Sequence, residues 1–166
     1  MKVRQAALVA ATAALGLITG PAQATPGAGV VGVVMARADF ADPVDIKLKV
    51  TEEGSQQVIH APDARQTVMQ SIVFSPGGHT GWHSHPGPVV VLVKSGELTL
   101  YASHDGTCEA RTYTMGQAFI DRGQGHAHIG VNTAPGVNTE LWVTYFDVPP
   151  GLPFRLDAAD PGNCGF

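Results

Sequence analysis

An all-β barrel is the fold class that this sequence predicts, on three observations. Short stretches alternate apolar and polar residues with a period of two, clusters of glycine and proline separate them, and no helical pattern runs longer than a turn or two. The 20 glycines and 12 prolines in 166 residues suit a chain that reverses direction many times.

The N-terminus carries a separate signal. Lys2 and Arg4 precede the apolar run Ala6 to Ile18, and Ala22 and Ala24 put small residues where a signal peptidase reads. The run stops at Gly20 and Pro21, short of the roughly 20 apolar residues that a membrane span needs. The expectation is a secretory signal peptide over residues 1–24, cleaved after Ala24, followed by one domain over residues 25–166. Without a twin arginine or a lipid-accepting cysteine at the cleavage site, the mature chain is expected to be secreted or periplasmic and free of the membrane.

Thr25 to Ala38 is rich in Gly, Ala and Val and reads as a loosely held entry segment with a short edge strand at Val30 to Ala36. In "DIKLKVTE", Ile46, Leu48 and Val50 share one face and Lys47 and Lys49 the other, the pattern of a half-buried strand. "TVMQSIVF" repeats it with Val68, Ile72 and Phe74. Further strands are expected at Val89 to Val93, Glu97 to Ser103, Arg111 to Met115, Ala118 to Asp121, His126 to Asn132 and Glu140 to Val148. The turns between them fall at Pro86-Gly87-Pro88, Ser95-Gly96, Asp105-Gly106, Gly123 to Gly125 and Ala134-Pro135-Gly136.

Beyond the signal peptide, eight Lys and Arg face fourteen Asp and Glu, a net charge of −6. Such a surface excludes nucleic acid as the expected partner, and no basic amphipathic helix supports a membrane-surface role. Cys108 and Cys164 are the only cysteines. An even count in an exported chain predicts one disulfide, which would pin the C-terminal tail to the loop around Cys108 and stabilise the fold by roughly 4 kcal/mol.

The chemistry concentrates in "GGHTGWHSHPGP". His83 and His85 are two apart, which sets both imidazoles on one face of a strand, about 7 Å apart along it. Two imidazoles so placed can converge on one ion at about 2.0–2.1 Å. His126 and His128 repeat the spacing some forty residues later, with Asn132 on the same face. Several imidazoles buried together cost several kcal/mol unless each is paired or ligated, and one bound metal satisfies them all. Trp82 alternates with the histidines and should face away from the ion; His60 and His104 read as solvated loop or edge residues.

"GHTGWHSHPGPVVVLVKSGELTLY" resembles the first motif of the cupin superfamily, with His83 and His85 in its HxH, Gly96 as its closing glycine, and Val89 in its glutamate position, which is thereby vacant. "GQAFIDRGQGHAHIGVN" resembles the second motif, with Gly116 opening it, His128 in the histidine position and Asn132 at its end. It carries one extra residue between Gly116 and His128, and Arg122 stands where the family has proline. The resemblance runs from about Val68 to Val148. It implies a double-stranded β-helix barrel, related to the jelly roll, with a divalent transition metal (Fe, Mn, Zn, Cu or Ni) on His83, His85 and His128, a set similar to that of thiol dioxygenases. His126 and His79 are the candidates for an additional ligand or for donors around the ligands. The resemblance also implies a homodimer, with the strands near Ile46 to Val50 and Val58 to His60 available for it.

Three neutral imidazoles leave the ion its full charge, so a small, anionic ligand is expected, with Arg122 either an orienting cation or a solvated surface residue. Two functions fit: a metal-dependent oxygenase or isomerase acting on a small polar molecule, and a non-catalytic protein that binds a metal or small ligand. Catalytic residues beyond the metal ligands are not identifiable from the motifs. A third reading, a barrel whose histidines hold no metal, requires them to be hydrogen-bonded to one another or to water.

Overall fold

The structure is a computed structural model and describes residues 24–165 apart from 53 and 105. The signal-peptide segment therefore lies, Ala24 apart, outside the described residues. Among the described residues, ten strands form one antiparallel sheet that curls into a nearly closed barrel. They are β1 (Ala28–Glu52), β2 (Ser55–His79), β3 (His83–Ser84), β4 (Val89–Ser95), β5 (Glu97–His104), β6 (Thr107–Thr114), β7 (Ala118–Asp121), β8 (His128–Val131), β9 (Thr139–Val148) and β10 (Leu156–Asp157).

The first two strands depart from the expected short pieces. β1 and β2 are 25 residues each and pair along their whole length, from Ala28↔His79 to Glu52↔Ser55. The segment expected to be a loose entry is thus held in a long hairpin. Its separate alternating runs are joined because register shifts between Val34 and Ala36 and between Asp39 and Ile46 absorb the residues that break the period. Ile46 to Val50 and Val58 to His60 face each other at the closed end of this hairpin, with Leu48 opposite Ile59.

β2 is the hub: it pairs with β1, with β9 from Gln66 to Phe74, and with β8 at His79. β9 passes the pairing to β4, and β4 to β7. On the other side β8 connects β5 and β3 to β2. Inward-facing residues of alternate parity fill the interior, among them Val68, Phe74, Val89, Val91, Val93, Leu141, Val143 and Tyr145. Asn132 locks the turn after β8: its amide nitrogen donates to Ser75 O (3.0 Å) and Val137 O (2.8 Å), while its oxygen accepts from Ala134 N (3.0 Å) and lies 2.9 Å from Thr139 Oγ1. Buried polar groups so satisfied fix the register of β8 and β9.

The tail returns to the barrel. β10 pairs with β3, matching Leu156 with Ser84 and Asp157 with His83. Cys108 on β6 and Cys164 form a disulfide, with Cα atoms 5.1 Å apart and 56 residues of separation.

Candidate metal site

His83 opens β3, His85 lies just beyond it, and His128 opens β8 directly opposite His83. The expected strand from His126 is thus shorter. His126 belongs to the preceding turn, where its N–H donates to Gly123 O (3.0 Å). The structure brings His83, His85 and His128 together: their ligand atoms all lie within 4.8 Å of one another, all three are buried, and among the described residues they form a group that could hold a metal ion.

Each ring is oriented from behind. His83 Nδ1 faces Gly81 O at 2.9 Å, His85 Nδ1 faces Phe154 O at 2.7 Å, and His128 Nδ1 faces His126 O at 3.2 Å. A carbonyl oxygen only accepts, so in every ring the proton sits on Nδ1 and Nε2 carries a free lone pair. Backbone carbonyls that fix the tautomer in this way are the usual support of metal-binding imidazoles.

The vacant glutamate position has a neighbour that the motifs do not point to. Val89 is buried and stands in register with Tyr145 on one side and Asp121 on the other. Asp121 Oδ2 lies 3.5 Å from Nε2 of both His85 and His128. It is buried and receives no hydrogen bond, while Gly123 N donates to Oδ1 at 3.0 Å and so sets the plane of the carboxylate. Gly123 has φ +60°, and a Cβ there would overlap the Gly87 carbonyl, so the turn that carries this donor needs glycine.

Electrostatics agree with the geometry. Burial holds the His85 and His128 imidazoles down to about 4 from their ordinary 6.5. Burial also lowers His83, helped by the neighbouring His128 and His85. Asp121 is pushed up by burial, against the pull of His85. Burial thus works against the charged form of the acid and of the imidazoles alike. Lone pairs from the imidazoles and a buried carboxylate oxygen without a hydrogen-bond partner converge on one space. A cation is the group that satisfies all of them at once.

His79 Nδ1 accepts from Gly81 N at 3.2 Å, and His126 Nε2 lies 3.3 Å from Arg122 Nη1; neither histidine is in the convergent group. Trp82 is fully buried, His60 is exposed, and the side chain of His104 lies outside the described residues. Two larger cavities reach the cluster. One, of about 390 Å³, is lined by His83, His85, Gln70, Tyr145, Phe154 and Arg155 among others. The second, of about 140 Å³, approaches from the side of Asp121 and His128, past Arg122 and His126. Behind the cluster a space of about 40 Å³ is walled mainly by apolar residues such as Phe74, Val91 and Leu141.

No family model and no curated protein matches the chain. Among solved structures it is similar to an oxalate oxidase, at 22% identity over 55% of this chain and 46% of that one, with a TM-score of 0.47. Oxalate oxidase in complex with the substrate analogue glycolate aligns at 19% identity over 84% of this chain and 58% of that one, with a TM-score of 0.49. A cupin superfamily protein from Desulfitobacterium hafniense DCB-2 aligns at 9% identity over 69% and 74%, with a TM-score of 0.45. The chain spans about half the length of the oxalate oxidases that it matches. In this chain the histidines of both motifs meet inside an antiparallel barrel, His83 opposite His128. The fold is an all-β, nearly closed antiparallel barrel of the jelly-roll kind.

Within this barrel, Asp121 is the residue that motif reading missed. A signal for it exists in the sequence: it continues the inward parity of Phe119, so its carboxylate had to be buried. Phe154 and Arg155 carried no such signal, because the tail reaches the site through tertiary contacts alone.

Proposed function

We propose that the chain is an exported metal-dependent cupin that holds one divalent transition metal through Nε2 of His83, His85 and His128 and through Asp121 Oδ2, and acts as an oxygenase or isomerase on a small polar molecule. One observation carries this reading: every imidazole Nδ1 is committed to a backbone carbonyl, leaving acceptor atoms alone to face one another and the unpartnered Oδ2 of Asp121. Bound there, an ion of this kind supplies Lewis-acid or redox chemistry at its open positions. The protein supplies an organic-sized chamber beside it, apolar walls behind it, and a Tyr145 phenol that burial keeps protonated, donating to Gln70 Oε1 at 2.8 Å. The disulfide supports an oxidising compartment. Among the described residues, no helix is long and apolar enough to cross a membrane.

Metal-loaded protein incubated with small hydroxy and oxo carboxylates under air and under nitrogen tests the enzyme reading, with product and oxygen uptake followed. Turnover that disappears with the metal is the expected result. A second reading, non-catalytic capture of a metal or ligand, draws on the absence of Asp and Glu from the lining of the larger chamber; metal binding without turnover across the whole panel would favour it.

A further inference from the structure

Arg155 lies at the entry to β10, on the tail that returns across the barrel. It lines the same 390 Å³ chamber as His83 and His85, and its positive charge is felt by all three clustered histidines and by Tyr145. Its guanidinium makes one hydrogen bond among the described residues, from Nε to Asp157 Oδ1 at 2.7 Å. Asp157 is largely exposed, so it orients the fork from the solvent side and leaves both Nη groups free. An arginine held by Nε with its two Nη nitrogens unengaged is a ready partner for a carboxylate. The rest of the chamber is of another kind: Val30, Ile72 and Phe154 offer apolar surface, and Gln70, Thr80 and Tyr145 are its neutral polar groups.

We propose that this chamber binds an organic monocarboxylate with an apolar body, whose acid group is held between Arg155 and the metal. The inference rests on the metal reading above and adds a substrate class and a recognition residue to it. Charge favours one negative group. A divalent ion on three neutral imidazoles and one carboxylate keeps a single net positive charge, and Asp157 already offsets part of that of Arg155. Size favours a body beyond two carbons, since about 390 Å³ falls in the range of roughly 300–1,000 Å³ for sites that enclose small organic molecules. The tail segment serves both ends of the site: the Phe154 carbonyl fixes the His85 tautomer, and the next residue supplies the anion anchor.

The test uses the mature, disulfide-bonded chain loaded with zinc, titrated calorimetrically with mandelate, with its uncharged isostere mandelamide and with oxalate, in wild type, Arg155→Gln and Arg155→Lys. Metal content is assayed in each sample. The expected result is that wild type binds mandelate at least tenfold more tightly than mandelamide, and more tightly than oxalate. Arg155→Gln should lose that preference with its zinc retained, and Arg155→Lys should recover part of it. Equal mandelate affinity in wild type and Arg155→Gln, both holding zinc, overturns the inference alone. Failure of wild type to hold zinc overturns the metal reading beneath it.

Discussion

Val89 and Asp121 are directly paired across β4 and β7, and the carboxylate absent from the first position is present at the second, 3.5 Å from Nε2 of two of the clustered histidines. Partners in such a pair have Cβ atoms only about 4.5–5.5 Å apart. A negative group can therefore move between neighbouring strands and still face the same interior point.

This relationship makes the carboxylate relocatable. Asp121→Ala should weaken zinc binding by roughly 100-fold, at or beyond the upper end of the effect of partner groups around metal ligands. The double variant Val89→Glu/Asp121→Ala should regain most of the loss. Competition against a chromophoric chelator measures both, and an unchanged affinity in Asp121→Ala would remove the carboxylate from the site.

Acid should destabilise the metal-free protein. Native His85 and His128 titrate near 4 rather than 6.5, so between those values the unfolded chain binds protons that the native chain refuses. Stability then falls as pH drops from about 6.5 to about 4, each such shift being worth about 3 kcal/mol. His83 is lowered too and acts in the same direction. Asp121, raised by burial, acts oppositely: its contribution is lost as pH rises through its native value, and it offsets part of the effect. The net expectation is a lower urea midpoint at pH 4.5 than at pH 7, and a flat profile would contradict it.

The sequence exposed the two histidine motifs because their spacing is local, and it exposed the barrel because the alternation along Ile46 to Val50 and the apolar run Val89 to Val93 are local too. What it hid depends on distant pairing. Nothing near Asp121 in the chain says that it opposes Val89, and nothing near Phe154 says that its carbonyl meets the His85 ring. The length of β1 was hidden for a related reason: Pro43 and the residues around it interrupt the period, and only pairing with β2 carries the strand through.

Replacing Cys108 and Cys164 by serine should cost roughly 4 kcal/mol, from the entropy that a 56-residue separation restores to the unfolded chain. For a chain of this size that lowers Tm by roughly 10 °C. Calorimetry of oxidised wild type and the double variant checks it; equal melting temperatures would mean that the tail is held by its other contacts.

Asn132→Ala should destabilise the fold by about 2–4 kcal/mol, since it strips hydrogen bonds from the carbonyls of Phe74, Ser75 and Val137 and from Ala134 N. Chemical denaturation measures the loss, and a change within about 0.5 kcal/mol would show that the turn after β8 holds without it.

The central claim is that three histidines and one aspartate converge to hold a metal, and metal content by mass spectrometry tests it most directly. The mature chain, purified and reconstituted with divalent ions, should carry one equivalent of metal, which His83→Ala and His128→Ala should each abolish and Asp121→Ala should reduce. Wild-type protein that binds no ion after reconstitution, or variants that retain a full equivalent, would contradict the account.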